Sequence, residues 1–324
     1  MSKGTVGTGW KLVWRHSKIL WWVFAVNLIL GFLATITPRV QLGSVLDRSL
    51  ESNKFVNGFD MGAFIELVSK PEVTLTALMR GSIIFTYLFF VFMLFILGGI
   101  LTAYREDRRL TMGEFFEASG AYFWRMVRLF LLSIIPMIVI GIIVSIFFGI
   151  SSRLASEVST FYVRIAGIVV GVILFLLLRL WFDVSQVRAV AQNEHGMFHN
   201  LRRAFRITTR ALGGLLWMYL RISIVAWVVL WLGLWLWTHL PARHIGLSWL
   251  LLQFVLLTQI FARLWQRASS VAWYANYAEE HPAAVVEFTT PHPAEIGEVP
   301  GASVPAPEPT PPGPPPPEPT GYSS

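Results

Sequence analysis

Four charged residues stand inside otherwise apolar stretches of this chain: Arg179, Asp183, Arg221 and Arg263. Arg179 and Asp183 lie one helical turn apart, so they can pair on a single face. Three guanidinium groups against one carboxylate leave positive charge over, and the guanidinium fork suits a phosphate or an anionic lipid headgroup. That chemistry is the binding of an anion at a membrane. A second reading competes with it, because long arginine side chains near helix ends can reach the interface while their stems stay in lipid. The apolar stretch around Arg221 runs 27 residues, long enough to put that residue at such an interface.

Other constellations carry less. His195 and His199 have helical i, i+4 spacing beside Glu194, which would make half of a metal site. No third ligand accompanies them, and Gly196 interrupts the helix between them, so no metal or other cofactor is expected. The absence of cysteine excludes disulfides, thiolate ligands and cysteine nucleophiles. No glycine-rich phosphate loop, nucleophile elbow or carboxylate dyad occurs, and an enzyme is not expected. Trp227, Trp231 and Trp235 form a stripe suited to lipid or a neighbouring helix. Gln253 and Gln259 suit hydrogen bonds between helices.

The elements that must position these residues follow from composition. Apolar residues make up 55% of the 324 and charged residues 14%, with a mean hydropathy of +0.59. Soluble domains carry about a quarter charged residues, so this chain belongs in a bilayer. Six runs reach the length of about 20 residues that a membrane-crossing helix needs: Ile19–Pro38, Ser82–Tyr104, Leu129–Ile150, Ile165–Asp183, Gly214–Leu240 and Leu247–Gln266. The fold class is all-α integral membrane with six transmembrane helices, since lipid offers backbone amides no other partner. Pro136 predicts a modest kink in the third span. The short connection Pro241–Gly246 makes the last two spans an antiparallel hairpin. The first run is longer than a usual signal core, and Leu33-Ala34-Thr35-Ile36 is a poor cleavage site, so an uncleaved helix is expected.

Orientation follows the basic residues. With the N-terminus inside, segments 1–18, 105–128, 184–213 and 263 onward hold sixteen Lys and Arg, against eight in 39–81, 151–164 and 241–246. Both termini are therefore expected in the cytoplasm, in the cytoplasmic membrane. Basic residues flanking apolar spans match anionic lipid headgroups. Nucleic acid is not an expected partner, because no water-exposed basic domain exists.

Three segments share a pattern of aromatic and basic residues ahead of a span: 9–22, 112–128 and 195–211. Each fits an amphipathic interfacial helix. The architecture would be three hairpins, each preceded by such a helix. In the outer loop 39–81, Asp60 could cap a short amphipathic helix through Val68. Small residues at four-residue spacing mark close helix packing: Gly141, Ser145 and Gly149 on the third span, Gly167 and Gly171 on the fourth.

The stretch VRAVAQNEHGMFHNLRRAFRITTRALGGLLWMYL, residues 187–220, is similar to an element of bacterial polytopic proteins akin to the membrane domain of glycerophosphodiester phosphodiesterases. The matching positions are Ala204, Phe205, Arg206, Thr208, Arg210 and Gly213. What the resemblance implies is a helical membrane domain. The soluble phosphodiesterase domain of that family has no counterpart here, so no catalytic residue carries over.

The chain divides by composition into a transmembrane domain, residues 1–278, and a tail, residues 279–324. The first holds all 26 Lys and Arg against 12 acids, a balance of +14; the tail holds seven acids and no Lys or Arg, a balance of −7. Fourteen of the 18 prolines follow His281, which predicts an extended, disordered tail. Pro-x-x-Pro patterns such as Pro309 to Pro312 could dock a protein partner. Two functions follow as expectations. The first is an accessory or scaffold role through the helices and the tail. The second is transport, or lipid or anion binding, at the inner-leaflet arginines. The second and third spans carry no charged residue, which argues against a polar transport path.

Overall fold

The computed structural model describes residues 4–46, 75–194, 196–240 and 244–282, together with Gly62, Ile65 and Ser69. Along these run α1 (Thr5–Arg15), α2 (Ser17–Leu46), α3 (Leu75–Glu106), α4 (Met112–Ser151), α5 (Glu157–Ala191), α6 (Met197–Arg210), α7 (Leu212–His239) and α8 (Ile245–Glu280). No strand occurs among the described residues. Six helices, α2 to α5, α7 and α8, are long and apolar enough to cross a membrane. Their outward side chains, such as Ile135, Ile142, Val172 and Trp231, are apolar and exposed, as lipid-facing positions must be. The chain divides into units Met1–Glu279 and Glu280–Ser324, and the helix bundle is the first of them. His195, the Pro-rich tail and, apart from Gly62 and Ile65, the helix expected at 60–68 lie outside the described residues.

Local chemistry sets the boundaries. At the start of α4, the Thr111 hydroxyl accepts from the Glu114 amide at 3.3 Å, and the Thr111 amide donates to the Glu114 carboxylate at 2.7 Å. This capping box begins the helix at Met112 and carries it through 40 residues to Ser151. The segment 112–128 is thus continuous with the third span. It also packs on protein: a Cβ added at Gly98 would sit 2.6 Å from Tyr122 Cβ, and one at Gly99 would sit 2.8 Å from the Phe115 carbonyl oxygen. Two helix backbones meet there because glycine removes the side chains between them.

Prolines do not end the spans. α2 runs on past Pro38 to Leu46, and α4 runs through Pro136. Neighbouring helices and small adjustments accommodate the missing N–H in a membrane helix. α1 breaks from α2 at His16, and α6 breaks from α7 at Ala211. Both α1 and α6 are helices of their own, separate from the spans that follow them. α6 buries Asn200, Leu201, Ala204 and Ile207 and turns Phe198 and Phe205 outward.

Consecutive spans pack side by side, α2 on α3, α3 on α4 and α4 on α5. At the last contact, added Cβ atoms on Gly167 and Gly171 would fall 2.5 Å from Phe147 Cβ and 2.6 Å from Val144 Cγ2. The α4 side of that contact differs from the expected one. Gly141 and Gly149 face open space and Ser145 is exposed, so α4 presents Val144 and Phe147 instead. α1 lies on α8, where Trp265 Nε1 donates to the Val6 carbonyl at 2.8 Å and the Trp10 ring sits edge-on to Trp265 at 4.9 Å.

Candidate functional site

Polar residues recur on one face of each of three helices. On α8 they are Gln259, Arg263, Gln266, Arg267 and Ser270, whose spacing keeps to one side of a helix. α5 supplies Arg179, Asp183 and Gln186, and α7 supplies Tyr219 and Ser223. The bundle brings these faces together. Asp183 Oδ2 lies 3.9 Å from Arg179 Nε and accepts the Tyr219 hydroxyl at 2.8 Å. The Tyr219 oxygen also lies 2.6 Å from Ser270 Oγ, which donates to the Gln266 carbonyl at 2.9 Å. Arg179 donates to the Gln266 side-chain oxygen, and Gln266 Nε2 donates onward to Ser223 Oγ at 3.0 Å. Gln259 Nε2 reaches the Ala226 carbonyl at 3.0 Å. Hydrogen bonds between side chains thus tie α5, α7 and α8 to one another at this level.

The charge does not balance. Arg179, Arg263 and Arg267 stand close enough to repel one another, and Asp183 is the carboxylate that faces all three. Asp183 is already shared between Arg179 and Tyr219. Arg267 Nη1 is buried without a hydrogen-bond partner. A buried cationic donor left unpaired is costly, so this geometry calls for an anion or an ordered solvent molecule. Space exists for one. Arg179, Asp183, Gln186, Arg263 and Arg267 line a cavity of about 340 Å³ whose other walls include Phe90 and Phe175. Across Arg179 and Arg263 lies a second cavity of about 210 Å³, edged by Ser223, Gln259 and Gln266.

The structure sorts the expected site residues. Arg179, Asp183 and Arg263 come together; Arg221 does not join them. It is exposed on the opposite face of α7 from Tyr219 and Ser223, with its guanidinium 4.9 Å above the Trp217 ring. Arg267 takes the place in the cluster that the sequence reading gives to Arg221. That reading counts Arg267 with the flanking cytoplasmic charges. The i, i+4 spacing of Arg263 and Arg267, on a face that also holds two glutamines, is the signal that could have found it.

A second polar group lies where α5 meets α6. Arg188, 1% exposed, pairs with Glu194 at 2.9 Å and donates to Gln192 Oε1 at 2.7 Å. Asn200 Nδ2 donates to the Ser185 carbonyl at 2.9 Å, and Trp181 Nε1 donates to the Leu201 carbonyl at 2.8 Å. Arg203 also reaches Glu194, at 3.2 Å. Burial holds the Arg203 pKa below its ordinary value, and the neighbouring Glu194 works against that shift. These bonds fasten α6 to the bundle. Glu194 is consumed as an ion-pair partner, and no group of three metal-ligating side chains occurs among the described residues.

One end of the bundle carries a set of basic residues with partners of their own. Arg15 pairs with Asp107, Arg105 Nη1 donates to the Val190 carbonyl at 3.0 Å, and Arg125 Nη1 donates to Asn193 Oδ1 at 2.6 Å. Asn193 ends the α5 segment in the left-handed conformation, φ 50°, which asparagine tolerates better than most residues. The chain matches no known protein family, no curated protein and no solved structure, so the likeness of residues 187–220 to phosphodiesterase membrane domains gains no support from the whole chain.

Proposed function

We propose that this is a multi-pass protein of the cytoplasmic membrane, with both termini cytoplasmic, that holds an anionic group between α5, α7 and α8. The observation that carries the reading is the surplus of guanidinium over carboxylate beside the 340 Å³ cavity: Arg179, Arg263 and Arg267 share Asp183. Guanidinium groups recognise phosphate and carboxylate alike, so the ligand class is an anionic lipid headgroup or a small free oxyanion. Binding is favoured over passage through the bilayer, because the charged residues cluster towards one end of the spans. The scaffold role expected from the Pro-rich tail rests on residues outside the described set.

Lipid co-purification tests the reading, with phosphatidylglycerol and phosphatidylcholine compared on the full chain and inorganic phosphate added as competitor. Arg179→Leu and Arg263→Gln should each weaken phosphatidylglycerol retention about tenfold, a loss of about 1.4 kcal/mol. Arg221→Leu should leave it unchanged. Displacement by millimolar phosphate would identify a free anion as the ligand, and resistance to it a lipid. Equal retention in wild type, Arg179→Leu, Arg263→Gln and Asp183→Asn would sink the proposal.

A further inference from the structure

A separate cavity of about 610 Å³ opens at the ends of three spans, where α1 hands over to α2 and where α3 turns into α4. Its two ends differ in chemistry. Trp22, Val23 and Val26 of α2, Phe92 and Ile96 of α3 and Phe115 of α4 make an apolar slot where α2 meets α3. Arg15, Lys18 and Arg109 stand at the mouth, at the level where spans give way to connections. Arg15 is engaged by Asp107, whereas neither Lys18 nor Arg109 pairs with a carboxylate among the described residues. Between slot and mouth stands His16, 6% exposed, whose Nε2 is buried without a hydrogen-bond partner. The nearest acid, Asp107, is 4.0 Å from that nitrogen, beyond hydrogen-bond distance.

A slot lined by apolar side chains is filled favourably by a hydrocarbon chain. Two uncompensated cations at its mouth fit a phosphate, and an orphaned imidazole nitrogen fits a hydroxyl or ester group next to that phosphate. We infer that this cavity is a binding site for one anionic phospholipid, with an acyl chain in the slot between α2 and α3 and its phosphate held by Lys18 and Arg109. Charge complementarity selects the lipid class. A zwitterionic lipid would bring its own cation against Lys18 and Arg109, and an uncharged one would make no use of either charge. The site shares no lining residue with the Arg179 cluster, so each stands or falls without the other.

The full chain in nanodiscs of equal parts phosphatidylglycerol and phosphatidylcholine, released and weighed by native mass spectrometry, tests the assignment. Wild type should retain phosphatidylglycerol selectively. Lys18→Gln combined with Arg109→Gln should lower that selectivity at least tenfold. Val26→Trp should abolish retention of one lipid per protein, whatever the Arg179 cluster holds. Should Val26→Trp fail to fold, Val26→Cys can be folded first and then blocked with N-benzylmaleimide, since the chain has no native cysteine. sn-Glycerol 3-phosphate, which has the phosphate but no acyl chain, should not displace the lipid. Unchanged retention after the maleimide block of Val26→Cys, unchanged selectivity in the double variant, or displacement by glycerol phosphate would each overturn the inference.

Discussion

Arg188 and Glu194 form an ion pair at 2.9 Å with only 1% of the arginine side chain and 16% of the glutamate side chain exposed. The pair closes the turn between α5 and α6, and Glu194 serves Arg203 as well. Removing one partner of a buried pair strands the other charge, at a cost of about 3–5 kcal/mol. Glu194→Ala should therefore lower the thermal stability of the detergent-solubilised protein and speed amide exchange through Met197–Arg210. Arg188→Met combined with Glu194→Ala should recover part of the loss, because no cation is then left at position 188. Exchange in α6 as slow as in wild type would show that Asn200 and Trp181 hold the helix without the ion pair.

The α4–α5 contact gives a prediction with an internal control. Gly171 lies against Val144, so Gly171→Leu must push the two helices apart. Overpacking of this kind costs about 1–3 kcal/mol. Gly141→Ala meets nothing within 4 Å and should be tolerated. Denaturant titration in mixed micelles separates the two. Equal effects at both positions would mean that α4 uses its small-residue face after all.

The contrast between those two glycines shows what was legible in the sequence. Six spans could be read from run length, because lipid imposes long apolar helices. Which face of a span meets which neighbour could not, because spacing fixes a face without naming its partner. Gly167 and Gly171 mark the α5 face in use, while Gly141, Ser145 and Gly149 mark an equally regular α4 face that points outward. Arg221 stands outside the cluster for a related reason. A charge inside an apolar run looks intramembrane, yet two residues of helix turn it well away from Tyr219 and out of the network. Gly98 and Gly99, which draw α3 onto α4, lie adjacent rather than four apart and so carry no spacing signal. Arg267 was readable in principle, from the polar face it shares with Gln259, Arg263, Gln266 and Ser270.

His16 gives the pH dependence. Burial pushes its imidazole below the ordinary value, Asp107 works against that shift, and Arg15 and Arg109 add to it. The Tyr104 ring faces it edge-on at 5.8 Å. A histidine depressed in the folded state binds its proton more readily when unfolded, so its contribution is intact above a pH of about 6.5. That contribution is lost as pH falls below this value, until the folded state takes up the proton too. Melting temperatures measured from about pH 8 down to about pH 5 should fall for wild type and fall less for His16→Gln. Parallel slopes in the two proteins would remove His16 as the cause.

Orientation is the last point open to direct measurement, and the cysteine-free chain makes it clean. The proposal puts the end of the bundle that carries Arg15, Arg105, Arg125 and Arg188 in the cytoplasm, following the bias of basic residues toward that side. Phe198 on α6 belongs to that end and is 74% exposed, while Leu154, in the turn between α4 and α5, belongs to the other and is 38% exposed. Neither side chain is buried among its neighbours, so cysteine at either position should react without disturbing the bundle. In intact cells an impermeant maleimide should label Leu154→Cys and spare Phe198→Cys until the membrane is opened. The reverse pattern would turn the protein over. The arginine cluster and the phospholipid cavity would then face the outer leaflet, and the anions proposed for them would have to be sought there.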